Sequence, residues 1–338
     1  MRLLVYSHNF RREGAPIILF RLLRALRERH DIHLLALTRA EEPLVEEYRR
    51  IGVPLVGEID LTDYDAMLVN TLTASGIVTR SAQFLPVLWW IHEPNMGLKY
   101  MARDSFDMHA FTAARRIVFP TRWQAETLYR NWLTADNWTV VPYGIGTDTS
   151  ALPCPFIREP GKLYLLQLGM VDERKGCDIS IEALRRLADP GIQLFCLGRE
   201  DAYPPYYEAI RHRWPHVHFL GSQPEAIVNA WLQHCDALLF PTRDDLITLS
   251  ILEAMTFATC VIASEFGPIP EAIRHGESGL LSPVNDAAAL AANIARIRHD
   301  PALSRRLGEA GRQVLRQNFA FEDHVNRMEN ELTALAAQ

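Results

Sequence analysis

Short apolar runs bounded by polar or turn residues recur along the chain, spaced to leave room for a helix between neighbours. RLLVYS (2–7), IHLLALT (32–38), AMLVNT (66–71), PVLWWIH (86–92), RIVFPT (116–121) and WTVVPY (138–143) form a first series. LYLLQLG (163–169), IQLFCLG (192–198), VHFLG (217–221), ALLFPT (237–242), TCVIAS (259–264) and GLLSP (279–283) form a second. Runs this short, apolar at successive positions, predict parallel strands buried on both faces. Between the later runs, CDISIEALRRLA, EAIVNAWLQHC and LSILEAMTFA have the length and apolar spacing of helices. GIGTDTSALPCPFIREPGK, rich in Gly, Pro and Thr, separates the series and reads as a domain boundary. From Asp286 onward the signal is helical only, ending in FEDHVNRMENELTALA. The pattern therefore predicts an α/β protein of two doubly wound, Rossmann-like parallel-sheet domains in tandem, with ligands at the carboxyl ends of strands.

Composition agrees with two soluble cores: 338 residues, 48% hydrophobic and 22% charged. The net charge of −6 gives no global footprint for nucleic acid, and no nucleic-acid partner is expected. A local basic patch exists in Arg11, Arg12, Arg21, Arg24, Arg27 and Arg29, against only Glu13 and Glu28. A solvated helix face explains it, and contact with an anionic membrane surface is the functional alternative. Cys154, Cys177, Cys196, Cys235 and Cys260 are odd in number and contain no CxxC, which argues against a disulfide framework and a zinc site. The start MRLLVYSHNFRREG turns polar too soon for a signal peptide, and no run reaches a membrane span. The expected location is cytoplasmic, with peripheral placement at the inner face of the membrane left open.

Two clusters carry candidate chemistry. In RDDLITLSILEAMTFATCVIAS (243–264), Asp245 precedes Glu253 by eight positions. A helix beginning near Leu249 places Glu253 about one turn inside, where the N-terminal half-charge keeps a carboxylate ionised. Free N–H groups at such a start suit a diphosphate, and an ionised Glu can accept hydrogen bonds from both hydroxyls of a ribose. Asp245 could do the same for a hexose. The plainer alternative is that Asp244 and Asp245 cap the helix and Glu253 is a solvated acid. In LQLGMVDERKGCD (166–178), a strand ends at Gly169 and Arg174-Lys175-Gly176 precede a helix. Lysine offers phosphate a point charge, arginine a fork, and glycine close backbone approach, though a solvated basic turn would look the same. Both clusters lie at strand ends of one sheet and could converge on one ligand.

In the first series, Gly14 lies between strand one and a helix whose first turn is marked by Pro16. His92 ends an apolar strand and is followed by Glu93; Asn70 and Thr71 end another. The first loop, HNFRREGAP, lacks GxGxxG and no acid ends IHLLALT, which disfavours a dehydrogenase.

LQLGMVDERKGCD and RDDLITLSILEAMTFATCVIASEFGPIPEAIRHGESGLLSPVND resemble the donor-binding segments of the retaining, nucleotide-sugar-dependent glycosyltransferases of family four (group 1), which have the GT-B fold. The resemblance extends over nearly the whole chain: HNFRREGAP is similar to the family's first loop, WWIHEPN to its histidine-bearing strand end and VVPYGIGTD to its interdomain crossing. It implies an acceptor-binding domain at 1–145 and a nucleotide-sugar-binding domain at 146–318, facing across a cleft, with helix 319–338 packing back on the first. By position, Glu253 should hold the ribose, Asp245 the donor sugar, and the amides of Thr248 and Leu249 the sugar and diphosphate. Lys175 matches the family's phosphate lysine and Arg174 shares that role; Gly169 ends the strand beside them. Gly14 should border phosphate and acceptor, and His92 should contact the transferred sugar near the reacting carbon. His92, Asp245 and Lys175 are then the expected catalytic set.

Three departures accompany the match. Met170 stands where an arginine is common, Leu246-Ile247-Thr248 replaces Gly-Phe-Gly, and Phe257-Ala258-Thr259-Cys260 replaces Cys-Gly-x-Pro. Thr248 thereby adds a side chain beside the donor sugar. The implied activity is metal-independent, retaining sugar transfer from a UDP- or GDP-linked donor to a glycan or lipid-linked acceptor, with no further cofactor, in polysaccharide, lipopolysaccharide or glycoconjugate synthesis. The alternatives are a catalytically weak nucleotide-binding scaffold and a GT-B-fold epimerase or hydrolase of NDP-sugars.

Overall fold

Each apolar run of both series contains a strand in the computed structural model, which describes residues 1–35, 42–57, 59–146, 149–201 and 203–337. Ala36–Thr38, the end of the second run, and Thr147–Asp148 of the expected crossing lie outside the described residues. By contacts the chain forms two compact units, Met1–Gly144 with Phe321–Gln338, and Ile145–Ala320.

The first unit contains β1 (Arg2–Ser7), β2 (Asp31–Leu35), β3 (Leu55–Val56), β4 (Ala66–Asn70), β5 (Val87–Trp90), β6 (Arg116–Phe119) and β7 (Trp138–Val140). Its helices are α1 (Gly14–Leu26), α2 (Pro43–Arg50), α3 (Ser75–Ser81), α4 (Met96–Met101) and α5 (Ala110–Ala113). The sheet is all-parallel in the order β3-β2-β1-β4-β5-β6-β7. Among the described residues only β3 escaped the sequence pattern, because two residues carry no periodicity. Register pairs Ser7 with Asn70 and Asn70 with Trp90, so the ends of β1, β4 and β5 lie side by side.

The second unit contains β8 (Leu163–Leu168), β9 (Ile192–Leu197), β10 (Val217–Phe219), β11 (Ala237–Phe240), β12 (Cys260–Ser264) and β13 (Leu280–Ser282), with α6 (Cys177–Leu187), α7 (Pro204–Ile210), α8 (Glu225–His234), α9 (Leu249–Thr256), α10 (Ile269–Ala272), α11 (Ala287–His299) and α12 (Pro301–Asn318). Its sheet is again all-parallel, in the order β10-β9-β8-β11-β12-β13. Asp286 and Asp300 each accept two backbone N–H groups at the starts of α11 and α12, which fixes where these helices begin. In both sheets the order reverses beside the first strand, between β1 and β4 and between β8 and β11. Crevices for ligands open at the carboxyl ends of such positions.

The last helix, α13 (Phe321–Ala336), belongs to the first unit, where it packs on α1, β4 and β5. Met328, Leu332 and Leu335 are buried, and Glu331 pairs with Arg116 at 2.8 Å. Among the described residues no helix is long and apolar enough to cross a membrane.

Candidate functional site

In the second unit β8 runs into Gly169, whose φ of +118° suits glycine and few other residues. A Cβ there would lie 3.2 Å from Lys175 Cε. The following turn folds back on itself. Lys175 N–H donates to Asp172 Oδ1 at 2.8 Å, Gln167 Nε2 donates to the Lys175 carbonyl at 2.9 Å, and Ser180 Oγ donates to Gln167 Oε1 at 2.8 Å. Gly176 closes the turn at φ +71°, and a Cβ on it would collide with the Pro241 carbonyl oxygen. The turn is thus held directly against the end of β11.

The loop after β11 completes the cluster. Arg243 N–H donates to the Arg174 carbonyl at 2.8 Å. Leu246 and Ile247 are buried and anchor the loop by its apolar side chains. Asp245, also buried, stands at the centre: its Oδ2 accepts from Lys175 Nζ at 2.7 Å and faces Arg174 Nη1 at 3.0 Å. Thr242 Oγ1 lies 3.2 Å from the same oxygen. Arg174 Nη1 also donates to the Asp244 carbonyl at 3.0 Å, and Arg174 Nε lies 3.9 Å from Asp172. Burial pulls the Arg174 pKa down, but the carboxylates of Asp245, Asp172 and Asp244 outweigh it and raise the value above the usual one.

A second ion pair braces the turn. Arg243 forks onto Asp178, with Nη1–Oδ1 at 2.9 Å and Nη2–Oδ2 at 2.7 Å, while its Nε donates to Asn285 Oδ1 at 2.6 Å and its Nη1 to the Glu173 carbonyl. Tyr206 donates to Asp178 Oδ1 at 2.6 Å. Burial alone would raise the Asp178 carboxyl; hydrogen bonds from Arg243 and Tyr206 hold it below its ordinary value instead.

At the start of α9, Thr248 is the extended N-cap with φ −88° and ψ 161°, and its side chain caps nothing. Its Oγ1 is buried and has no hydrogen-bond partner among the described residues. Leu249 and Ser250 begin the first turn, whose N–H groups an α-helix leaves unpaired within itself. Glu253 is the fifth residue of the helix and half-buried.

In the first unit His92 follows β5 with Nε2 2.7 Å from Asn70 Oδ1 and Nδ1 2.7 Å from the Tyr143 hydroxyl. Asn70 Nδ2 points at the Ala15 carbonyl, 3.4 Å away, which leaves Oδ1 for the imidazole. The proton therefore belongs on Nε2, and Nδ1 accepts from Tyr143. Burial, then the neighbouring His8 and His324, lower the His92 pKa to about 3. Glu93 Oε2 accepts the N–H groups of Leu72 at 2.9 Å and His92 at 3.0 Å, and burial raises its pKa to about 7. Thr71, β-branched, is held at φ +79° between these groups, a strained conformation of a kind that clusters at functional sites. Gly14 is exposed at the start of α1, and a Cβ there would meet nothing within 4 Å. Its own unit does not require glycine at that position. Arg11 faces Glu42, Arg12 Glu47, Arg27 Glu28 and Arg29 Glu329. This interleaving favours the solvated-face reading of the basic patch.

Residues 156–314, from Phe156 through Gly169 and Glu253 to Val314, match the family described as glycosyl transferases group 1. The match spans most of the second unit. The chain is 31% identical over 192 residues to glycogen synthase of Mycobacterium tuberculosis, covering 54% of this chain and 45% of the relative. It is 30% identical over 206 residues to phosphatidyl-myo-inositol mannosyltransferase of the same organism, covering 58% and 52%. The chain spans about half the length of these curated relatives. Among solved structures, Anabaena HepE in complex with UDP-glucose superimposes with a TM-score of 0.83 at 15% identity, covering 99% of this chain and 100% of that one. Sucrose-phosphate synthase of Thermosynechococcus elongatus gives 0.80 at 19% identity, covering 100% and 99%. These likenesses show the GT-B fold: two parallel-sheet α/β units.

The second unit brings Gly169, Arg174, Lys175 and Asp245 together at the ends of β8 and β11, with Thr248, Leu249 and Glu253 at and in the next helix. Asp245 spends one carboxylate oxygen on the two cations; its Oδ1 accepts no hydrogen bond from the described residues. His92, expected to face a sugar, has both ring nitrogens engaged inside its own unit. Sequence reasoning missed Arg243, Asp178, Tyr143 and the perturbed Glu93. Arg243 had a signal, lying beside Asp244 and Asp245, but its partner is 65 residues away; Tyr143 and Glu93 had none.

Proposed function

We propose that the protein is a retaining, metal-independent glycosyltransferase whose second unit binds a UDP- or GDP-linked sugar and whose first unit receives an acceptor hydroxyl. The observation that carries this reading is the convergence of Arg174 and Lys175 on the topological switch point of a group 1 unit, beside a helix start with Glu253 one turn in. Lys175, Arg174 and the first-turn amides at Leu249 would take the diphosphate, and Glu253 the ribose. Asp245 would meet the sugar through Oδ1, and Thr248 would border it. In transfer, the bond from the anomeric carbon to the diphosphate oxygen breaks, and the cations stabilise the charge that develops. The acceptor oxygen bonds to the same face of that carbon while its proton passes to the leaving phosphate. In the first unit the polar strand ends Asn70, Thr71 and His92, with Gly14 nearby in sequence to β1, supply the acceptor side. The acceptor is a glycan or lipid-linked hydroxyl in polysaccharide, lipopolysaccharide or glycoconjugate synthesis on the cytoplasmic side.

Calorimetric titration with UDP-, GDP- and dTDP-sugars tests the donor assignment on the wild type and on Glu253→Ala. Selective binding that weakens about 10- to 100-fold in the variant is expected, the worth of one or two charge-assisted hydrogen bonds. No binding of any nucleotide sugar by the wild type would remove the reading and leave a scaffold in its place.

A further inference from the structure

We infer that Asp245 is a resident counter-ion of the Arg174–Lys175 pair which an incoming diphosphate must displace, so that this carboxylate restrains donor affinity. The inference rests on the donor reading above and adds a role for a residue otherwise assigned to the sugar. Its basis is the occupancy of the cation cluster. Lys175 Nζ at 2.7 Å, Arg174 Nη1 at 3.0 Å and Thr242 Oγ1 at 3.2 Å all converge on Asp245 Oδ2. Carboxylate and phosphoryl oxygens make the same demand on such donors, short charge-assisted hydrogen bonds. Oδ2 thus fills the place that a diphosphate oxygen would take.

The charge count points the same way. Arg174 and Lys175 supply two positive charges and Asp172, Asp244 and Asp245 three negative ones, a sum of −1 for the cluster. Arg243 is no reserve, since its fork is committed to Asp178. A diphosphate therefore enters a site whose cations are already neutralised, unless Asp245 gives them up. Burial makes the exchange consequential: Arg174, Lys175 and Asp245 side chains are 20%, 12% and 10% exposed, so an unpaired cation there is poorly served by water. Glycine at 176 lets the Lys175 turn sit against the Pro241 carbonyl, so the cations are fixed by backbone while Asp245 reaches them through its side chain.

Asp245→Asn keeps the shape and removes the charge. Calorimetry with UDP and GDP should show about tenfold tighter binding in this variant, with a steeper loss of affinity on adding salt, as expected when buried cations are left for the ligand alone. Asp245→Glu keeps the charge and should return binding toward the wild type. A merely structural role predicts the opposite sign, weaker binding in both variants. Thermal unfolding checks that the variants are folded, and Asp245→Ser replaces Asn if that variant is not. Unchanged or weaker nucleotide binding in a folded Asp245→Asn, with the wild type still binding, overturns the inference and leaves the donor reading standing. No binding by the wild type or any Asp245 variant overturns both.

Discussion

Gly176 carries the narrowest constraint in the anion turn. Its left-handed φ and the Pro241 carbonyl against it exclude any side chain, so the step from Lys175 into α6 depends on that one missing Cβ. Gly176→Ala should destabilise the second unit by about 2–4 kcal/mol, from φ strain together with backbone displacement. Urea unfolding measures this directly, and a cost below about 0.5 kcal/mol would show that the turn is free to move. His92 illustrates the other kind of residue constraint. A neutral imidazole with Nε2–H on Asn70 and Nδ1 on Tyr143 is a positioned group that does not titrate near neutrality. Any hydrogen bond it offers a ligand must be taken from one of these two partners.

At the scale of elements, the anion turn and the loop after β11 are separate in sequence and tied by side chains. Arg243 reaches from that loop to Asp178 at the start of α6, to the Glu173 carbonyl and to Asn285 before α11. Removing its fork frees three segments at once. Arg243→Met should cost about 1–2 kcal/mol, a figure reduced because the pair is partly exposed to water, and should weaken UDP binding several-fold. Arg243→Lys should recover little of either, because a point charge cannot bridge both Asp178 oxygens. Denaturant unfolding and nucleotide titration on the two variants separate these outcomes; equal behaviour of Lys and wild type would show that charge alone suffices. The long final helix obeys a different logic. Its apolar stripe of Met328, Leu332 and Leu335 is buried in the first unit, although the stretch of chain that leads into it, Ile145–Ala320, forms the second.

For the whole molecule, the buried histidines lie in the first unit and the buried thiols in the second. The first holds His92 and His324, lowered by burial to about 3 and about 4, and Glu93, raised to about 7. Between about pH 6.5 and 4.5 the unfolded first unit binds two more protons at the histidines, and the folded unit one more at Glu93. The net excess of one proton in the unfolded state makes stability fall with decreasing pH by about 1.4 kcal/mol per unit. Between about 4.5 and 4 the unfolded Glu is protonated too and the slope steepens toward twice that value, easing again as the folded His324 and then His92 take up protons near 4 and 3. The second unit holds the thiol of Cys196, raised by its hydrogen bond with Cys177 and then by burial, and those of Cys235 and Cys260, raised by burial. Their stabilisation is complete below the unfolded thiol value and is lost as pH rises above about 9. Hydrogen exchange read by mass spectrometry should therefore show the first unit opening first in acid and the second first in alkali. The same unit opening first at both extremes would contradict this division.

The sequence by itself determined the strands and the long helices, because their signals are local. Apolar runs of four to six residues, Gly169 and Gly176 at a strand end and helix start, and the Asp245–Glu253 spacing are all legible within about 20 positions. It also identified Arg174, Lys175 and Asp245 as a set, since each precedes or follows a strand of one sheet. What only the tertiary structure decided is how these groups satisfy one another. That Asp245 takes both cations on one oxygen follows from the parallel pairing of β8 with β11, which brings residues 70 positions apart to 2.7 Å. That Arg243 ignores its adjacent acids for Asp178, and that His92 is closed between Asn70 and Tyr143, follow from the same cause. Pairing of distant strand ends is fixed by the burial of whole sheet faces, a non-local free energy that no short stretch of chain contains.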